Sequence, residues 1–558
     1  MPYSCSLTHY QTKPLFLMRR KTLNLNHILS VYCTQNPYYT WALTHKKSEF
    51  SPKYSKKRML MSEKSRTFAT QFQNKIIMAK NDIVGREHEI QLLEEYLHSD
   101  KAELIAVYGR RRIGKTFLID RIMNGKFDFY MTGIYQGLLT EQMAHFTKQL
   151  ESYSGKKADK PRNWIDAFSM LQSYLETKSA QDRICVFIDE LPWFDTPRSR
   201  FLKAFDLFWN SYASKHDNIK LIVCGSATTW MTGKLLGDKG GLHNRVTRPL
   251  YLRPFNLHET ELFLNSRGFR LDRMQTLDVY MALGGTPFYL DMLRPSLSVA
   301  QNIDELFFAN DNAPLRKEYD FLFKSLFRDS ELYKKVIETL ARKMKGLTRN
   351  EIVEIAKIES NGHLKEVLDN LCSCDFIRRY AAIGKNQRDM MYQLTDLYSL
   401  FFLRFVKGNH TKDPQFWSHS LSDVNPWHGY AFEQVCLLHT EQIRKALGIS
   451  GILCNVCSWS CRQHVDEDGI IHKGSQVDLV LERGDKTINL CEMKYSKAKY
   501  SITKDYLFLM NDRRETFRTM TKTRHNLLLT MITTLGIDHN AAWNDIQGEV
   551  TLDDLFKE

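Results

Sequence analysis

The 558-residue chain lacks any apolar run near the roughly 18 to 20 residues that a bilayer-crossing helix needs; its longest stretch of that kind, LYSLFFLRFV from Leu397, is too short. A spanning helix is excluded on that ground, and a protein soluble in the cytoplasm is expected. Cysteine is sparse, with 11 residues scattered through the chain in no dense spacing. That excludes the small disulfide-framed class and points to free thiols in a reducing compartment. Acidic residues are nearly missing from positions 1–77, which hold 2 Asp/Glu against 13 Lys/Arg and leave 65 Lys/Arg against 62 Asp/Glu in the remainder. Most of the +14 net charge therefore belongs to this leader. The nearly neutral body lacks the field that would steer nucleic acid as a whole, so any such contact must rest on local patches. Internal repeats and long low-complexity tracts are also missing.

What remains is ordinary globular material, 43% apolar and 25% charged, in a chain long enough for about three or four domains. Residues 1–77 show neither helical nor strand periodicity and read as an unstructured basic leader. KPLFLMRRK does not have the basic-then-apolar order of a secretory peptide. Two readings of the leader stand, an organelle transit peptide and a stretch upstream of a start at Met78, and the second is preferred.

From Ile83 the pattern changes. In GREHEIQLLEEYL, Ile90, Leu93 and Leu97 share one helical face, and the apolar strand ELIAVYG follows. FLIDRIM reads as a helix, FDFYM as a short strand, and RICVFIDE and KLIVCGSA as two further buried strands. Strands alternating with helices predict an α/β domain with a doubly wound parallel sheet over 78–255. A helical lid broken by Gly284, Gly285 and Pro287 is expected over 256–325. Three helices and two β-like runs around a GKNQ turn predict a winged helix over 326–410. The last part, 411–558, opens with the helix WHGYAFEQVCLLHTEQI and continues into a hairpin.

GRRRIGKT, Gly109–Thr116, fits GxxxxGK[ST] and stands between a buried strand and a helix, the context that this phosphate loop requires. Gly109 and Gly114 let backbone N–H groups curl around phosphates. Lys115 reaches the β and γ oxygens of ATP, and Thr116 ligates Mg2+ at the positive end of the helix. In VFIDE an apolar strand delivers Asp189 to the magnesium shell, and adjacent Glu190 is placed to polarise the attacking water. Ser226, at the end of KLIVCGSA, suits a hydrogen bond to the γ-phosphate or the water; the bland alternative is a helix cap.

These residues resemble the archaeal-type ATPases of the STAND group, which are related to AAA+ proteins, and the resemblance covers most of the body. GREHEI looks like the family's motif before the first strand and implies that Gly85 and Arg86 lie near the adenine. GGTP would set Pro287 against the base. Arg245 occupies a place where such proteins often carry a phosphate-sensing arginine, although an arginine in a basic loop is commonly a solvated charge.

VDLVLERGDKTINLCEMK supplies a second constellation. In a strand, Glu492 and Lys494 share a face. A hairpin symmetric about Asp485 sets Asp478 across from Glu492, so two carboxylates converge where a divalent cation fits, with a lysine beside it. The pattern resembles PD-(D/E)XK nucleases, and Glu433 in FEQVC matches the acid that the family places on its first helix. The resemblance implies metal-dependent cutting or binding of DNA or another nucleic acid; the alternatives are a surface salt-bridge ladder and a fold without catalysis. Cys454, Cys457, Cys461 and His464 have spacings near those of zinc ligands but read as packing residues. The helix LKEVLDNLCS carries Lys365 against Glu366 and Asp369, a poor phosphate footprint, so the winged helix faces a protein partner as readily as DNA. An oligomer is compatible with this architecture.

Overall fold

The computed structural model describes residues 83–558 apart from 227–229, 238–244, 328, 344, 382, 384–389, 412, 421–424, 466–470 and 473, and the side chains of 425, 464, 465, 471 and 472. The basic leader and the GKNQ turn therefore lie outside the described residues. Among the described residues no helix is long and apolar enough to cross a membrane.

Five strands, β1 (Glu103–Tyr108), β2 (Phe129–Thr132), β3 (Ile184–Asp189), β4 (Ile219–Gly225) and β5 (Arg248–Tyr251), form a parallel sheet in the order β2-β3-β4-β1-β5. β3 and β4 are buried at every position. This explains why they read as continuous apolar runs, since helices cover both faces. Leu104, Ala106, Val186, Ile188, Leu221 and Val223 pack under the helices Leu139–Ser154, Trp164–Leu175 and Phe201–Ser211. Their alternates Ile105, Val107, Phe187 and Ile222 pack under Glu87–Leu97 and Lys115–Ile122. The result is an α/β unit built on a parallel sheet, with β1 leading into the glycine loop and β3 and β4 ending beside it.

Helices Leu257–Ser266, Arg273–Leu283, Pro287–Leu290, Val299–Phe307 and Pro314–Leu326 follow. Gly284 turns with φ 62°, and a Cβ on Gly285 would stand 1.7 Å from the Phe255 carbonyl oxygen, so only glycine permits this approach. Helices Ser330–Ala341, Arg349–Ala356 and Gly362–Ser373 then accompany an antiparallel sheet of β6 (Leu347–Thr348), β7 (Ile377–Tyr380) and β8 (Met391–Leu394) in the order β6-β8-β7. Past it, Leu397–Phe401 is α-helical and Phe402–Val406 continues as a π-helix.

The run expected as one helix from Trp427 is two, Asn425–Leu438 and Thr440–Ala446. The break falls at His439, whose Nδ1 bonds the Val435 carbonyl at 2.8 Å while Nε2 accepts the Leu257 N–H at 3.0 Å. β9 (Cys454–Cys461), the small pair β10 (His464–Val465) and β11 (Ile471–His472), β12 (Ser475–Arg483), β13 (Thr487–Lys494), β14 (Asn526–Thr533) and β15 (Gly548–Thr551) complete the chain. They build a mixed sheet, β15-β14-β13-β12-β9, whose parallel β13–β14 step is bridged by the helix Lys504–Thr521. One apolar core runs from Phe255 to Phe556, across the boundaries expected at 325/326 and 410/411.

Candidate nucleotide site and C-terminal carboxylate cluster

Gly109 and Gly114 turn the loop after β1 with φ of 147° and 88°. A Cβ on Gly109 would meet the Leu252 carbonyl oxygen at 2.2 Å, so the first glycine of the motif is required by the close approach of the strand-end backbone. Gly114 caps the helix that starts at Lys115, whose N–H groups and dipole form an anion-receiving end. Buried Lys115 donates Nζ hydrogen bonds to the carbonyls of Gly109 and Arg110, both at 2.9 Å, so its ammonium is held inside the loop by acceptors that a phosphate can replace.

Thr116 Oγ1 donates to Asp189 Oδ2 at 2.9 Å, which joins the start of this helix to the end of β3. Burial, and then the neighbouring Glu190, push the Asp189 carboxyl up to about 6. Ser226, at the end of β4, donates its hydroxyl to Glu190 at 2.8 and 3.0 Å and its N–H at 3.2 Å. Ser226 therefore acts on the acid from the neighbouring strand. Among the described residues no ion pair reaches Asp189 or Glu190. A buried, protonation-prone carboxylate beside a hydroxyl, with no fixed counter-charge, is an oxygen donor set suited to a hard divalent cation. Arg86, Arg112 and Glu190 all adopt left-handed φ of 69°, 73° and 48°, conformations that cost a side-chain-bearing residue energy and concentrate at sites.

The remaining expected residues fall in different places. Gly85 and Arg86 join the loop to the helix Leu257–Ser266. Arg86 is buried, donates to the Arg253 carbonyl at 2.6 Å, pairs with Glu89 and Glu259 at 3.6 and 3.8 Å, and lies over the Phe255 ring. Pro287 opens its short helix, and the next N–H, of Phe288, reaches the Arg112 carbonyl at 3.4 Å. Arg245 is exposed, with its guanidinium on Asn210.

The motif's variable positions carry contacts that the sequence does not announce. Arg110 is buried and ion-paired to Asp396 at 2.6 Å. Arg112 makes a bidentate pair with Glu318, 2.6 and 2.9 Å, and stacks on Phe288 at 3.8 Å. Two loop arginines thus tie the phosphate loop to the helices and strands beyond residue 310.

Residues 83–293 match the ATPase domain described as predominantly from Archaea. Beyond that domain, an uncharacterized protein of Methanocaldococcus jannaschii, MJECL04, is 25% identical over 422 residues, 75% of this chain and 88% of the relative. An uncharacterized ATP-binding protein of the same organism, MJ0423, is 46% identical over 43 residues, 8% of this chain and 73% of the relative. Among solved structures, the Walker-type ATPase PABY2304 of Pyrococcus abyssi is similar at 17% identity with a TM-score of 0.41, over 58% of this chain and 97% of that one.

Away from the ATPase domain, the hairpin register pairs Leu479 with Cys491, which sets Asp478 opposite Glu492. Lys494 Nζ lies 2.9 Å from Glu492 Oε1. Glu433 faces this group from the helix Asn425–Leu438; burial first, and then Asp478, push its carboxyl up to about 7. Burial also raises Asp478, which accepts a hydrogen bond from Gln476. Burial works the same way on Glu492, but Lys494 and Arg513 outweigh it and hold this carboxyl below the ordinary range. Glu492 also accepts from the Tyr506 hydroxyl, and Arg513 and Tyr506 both come from the helix Lys504–Thr521. The Glu492 oxygens are engaged by chain groups in this conformation. Cys457 is buried in β9, with Cys454 and Cys461 partly buried on the same strand. The His464 side chain lies outside the described residues.

Proposed function

We propose that the protein binds and hydrolyses ATP at Gly109–Thr116, as a switch whose nucleotide state is felt by the helical lid and the domains beyond it. One observation carries this reading: Lys115, Thr116, Asp189, Glu190 and Ser226 meet at the ends of three adjacent strands, linked by the 2.9 Å Thr116–Asp189 bond and the Ser226–Glu190 pair. The loop N–H groups and Lys115 bind the triphosphate. Thr116 and Asp189 would hold Mg2+, which when bound supplies positive charge to the β and γ oxygens. Glu190 orients the attacking water and accepts its proton, and Ser226 fixes the carboxylate before the substrate arrives. The test is Mg2+-dependent phosphate release. Glu190→Gln lowers turnover about 100-fold or more with nucleotide still bound, and Lys115→Ala loses both. Wild-type protein that releases no phosphate overturns hydrolysis.

A second reading concerns residues 411–558 as a PD-(D/E)XK-like domain acting on nucleic acid with a divalent cation. It is supported by the facing of Asp478 and Glu492, by Lys494 on Glu492, and by the raised carboxyls of Glu433 and Asp478. In the conformation described, cation entry requires Arg513 to withdraw from Glu492. Cleavage of DNA or RNA that is lost in Asp478→Ala and Lys494→Ala supports cutting. Salt-dependent duplex binding that survives both supports instead a STAND-type regulator that contacts DNA or a protein through the winged-helix order of 326–410. Free thiols fit a cytoplasmic setting for either.

A further inference from the structure

One short strand lies between the phosphate loop and the C-terminal carboxylates. Its leading residue, Phe376, is fully buried, with the Arg110 guanidinium 5.0 Å from its ring centre. The N–H groups of Thr395 and Asp396 donate to the Phe376 carbonyl at 3.0 and 3.2 Å, and Asp396 holds Arg110 at 2.6 Å. Loop arginine, aspartate and strand therefore close into one knot, with little freedom for one member to move alone. Arg110 also answers directly to the nucleotide site, because its carbonyl is one of the two acceptors that hold the Lys115 ammonium. A triphosphate that takes that ammonium releases this carbonyl.

At the far end of the strand the Tyr380 hydroxyl donates to the Lys345 carbonyl at 2.6 Å, and outside the strand the N–H of Ile383 donates to the Ser458 carbonyl at 3.1 Å. Ser458 stands in β9 where the pairing with β12 breaks register, between Val477 and Val480. Asp478 lies inside that irregularity. A bulge re-aims the side chain it carries, and bulges recur beside active sites for that reason. Midway along, half-buried Arg378 donates Nε to Gln393 at 2.7 Å, and its charge acts on Asp478.

We propose that β7, Ile377–Tyr380 with Phe376 leading into it, is a coupling strand, anchored at one end to the phosphate loop through Arg110 and lying at the other against the register break that aims Asp478. Nucleotide in the loop thereby changes the setting of the C-terminal carboxylates. Arg110, Phe376 and Arg378 are positioning residues. This rests on nucleotide binding at Gly109–Thr116 but not on the C-terminal domain being a nuclease.

Hydrogen exchange on the full chain, with and without ATPγS and Mg2+, tests it. In wild type the nucleotide slows exchange at 109–116 and shifts it about fivefold or more in 376–383 and 456–480, the lower end of coupling between distant sites. Phe376→Leu keeps an apolar side chain in the core but loses the aromatic face under Arg110, and Arg378→Gln alters only a half-buried group. Both are expected to keep the response at 109–116 and lose it at 456–480. A wild-type response confined to the ATPase domain overturns the coupling, as does a distant response unchanged in both variants. No response at 109–116 overturns the nucleotide reading itself and this proposal with it, and that outcome is distinct from the other two.

Discussion

The two acidic sites of this chain use similar residues in opposite ways. At the nucleotide site, Asp189 and Glu190 are held by hydroxyls and N–H groups, while the nearby lysine is occupied with its own loop's carbonyls. At the C-terminal site, Glu492 already carries Lys494, Arg513 and a tyrosine hydroxyl. The first site leaves its negative charge for a cation to complete; the second supplies the cations from its own strand and helix. Adjacent carboxylates are therefore not equivalent evidence of a metal centre, and what decides is whether the chain has already neutralised them.

The largest expected effect tests the first half of that contrast. Asp189→Asn removes the anionic ligand and is expected to weaken Mg2+-dependent ATP binding about 100-fold, roughly 3 kcal/mol, in a titration series, while leaving Mg2+-free nucleotide binding much less affected. Equal loss with and without the ion breaks the contrast.

Next comes the seam that joins the two regions. Fully buried His439 is pushed down to about 4 by burial, so between pH 6.5 and 4 the unfolded chain takes up a proton that the folded one refuses. Stability is therefore lost as pH falls through that window, on the order of 3 kcal/mol in total. Urea unfolding against pH measures it, and His439→Gln flattens the slope by the His439 share.

Arg513→Met sharpens the second half. It strips one counter-charge from Glu492, costs about 2 kcal/mol in denaturant unfolding, and opens the carboxylates to Mn2+, read as depletion of the free-ion resonance in a titration. Unchanged Mn2+ affinity contradicts self-neutralisation by Arg513. The smallest effect belongs to Ser226→Ala, which frees Glu190 at a cost of about 1 kcal/mol and changes phosphate release about fivefold with nucleotide affinity intact.

Much of this was legible in the sequence because the informative contacts are local. The glycine loop spans eight consecutive residues, Asp189 and Glu190 are neighbours, and buried parallel strands announce themselves as unbroken apolar runs. The hairpin centre at Asp485 was readable for the same reason, since register over a tight turn follows from counting. What stayed hidden depends on distance along the chain. Arg110 meets Asp396 across 286 positions, Arg112 meets Glu318 across 206, and Arg513 reaches Glu492 from a crossover helix. Before folding, Arg110 and Arg112 look like spacers in a motif whose pattern leaves their identities free. The helix break at His439 was likewise invisible, because it comes from the side chain bonding its own helix's carbonyl and a backbone N–H 182 positions away.

The central claim is that Gly109–Thr116 grips a triphosphate, with Asp189 completing the cation's shell. Calorimetric titration of ATP into the full chain, with and without Mg2+ and alongside Lys115→Ala, tests it most directly. The account predicts saturable one-to-one binding that Mg2+ tightens and that Lys115→Ala abolishes; a titration without heat, or one unchanged by that substitution, contradicts it.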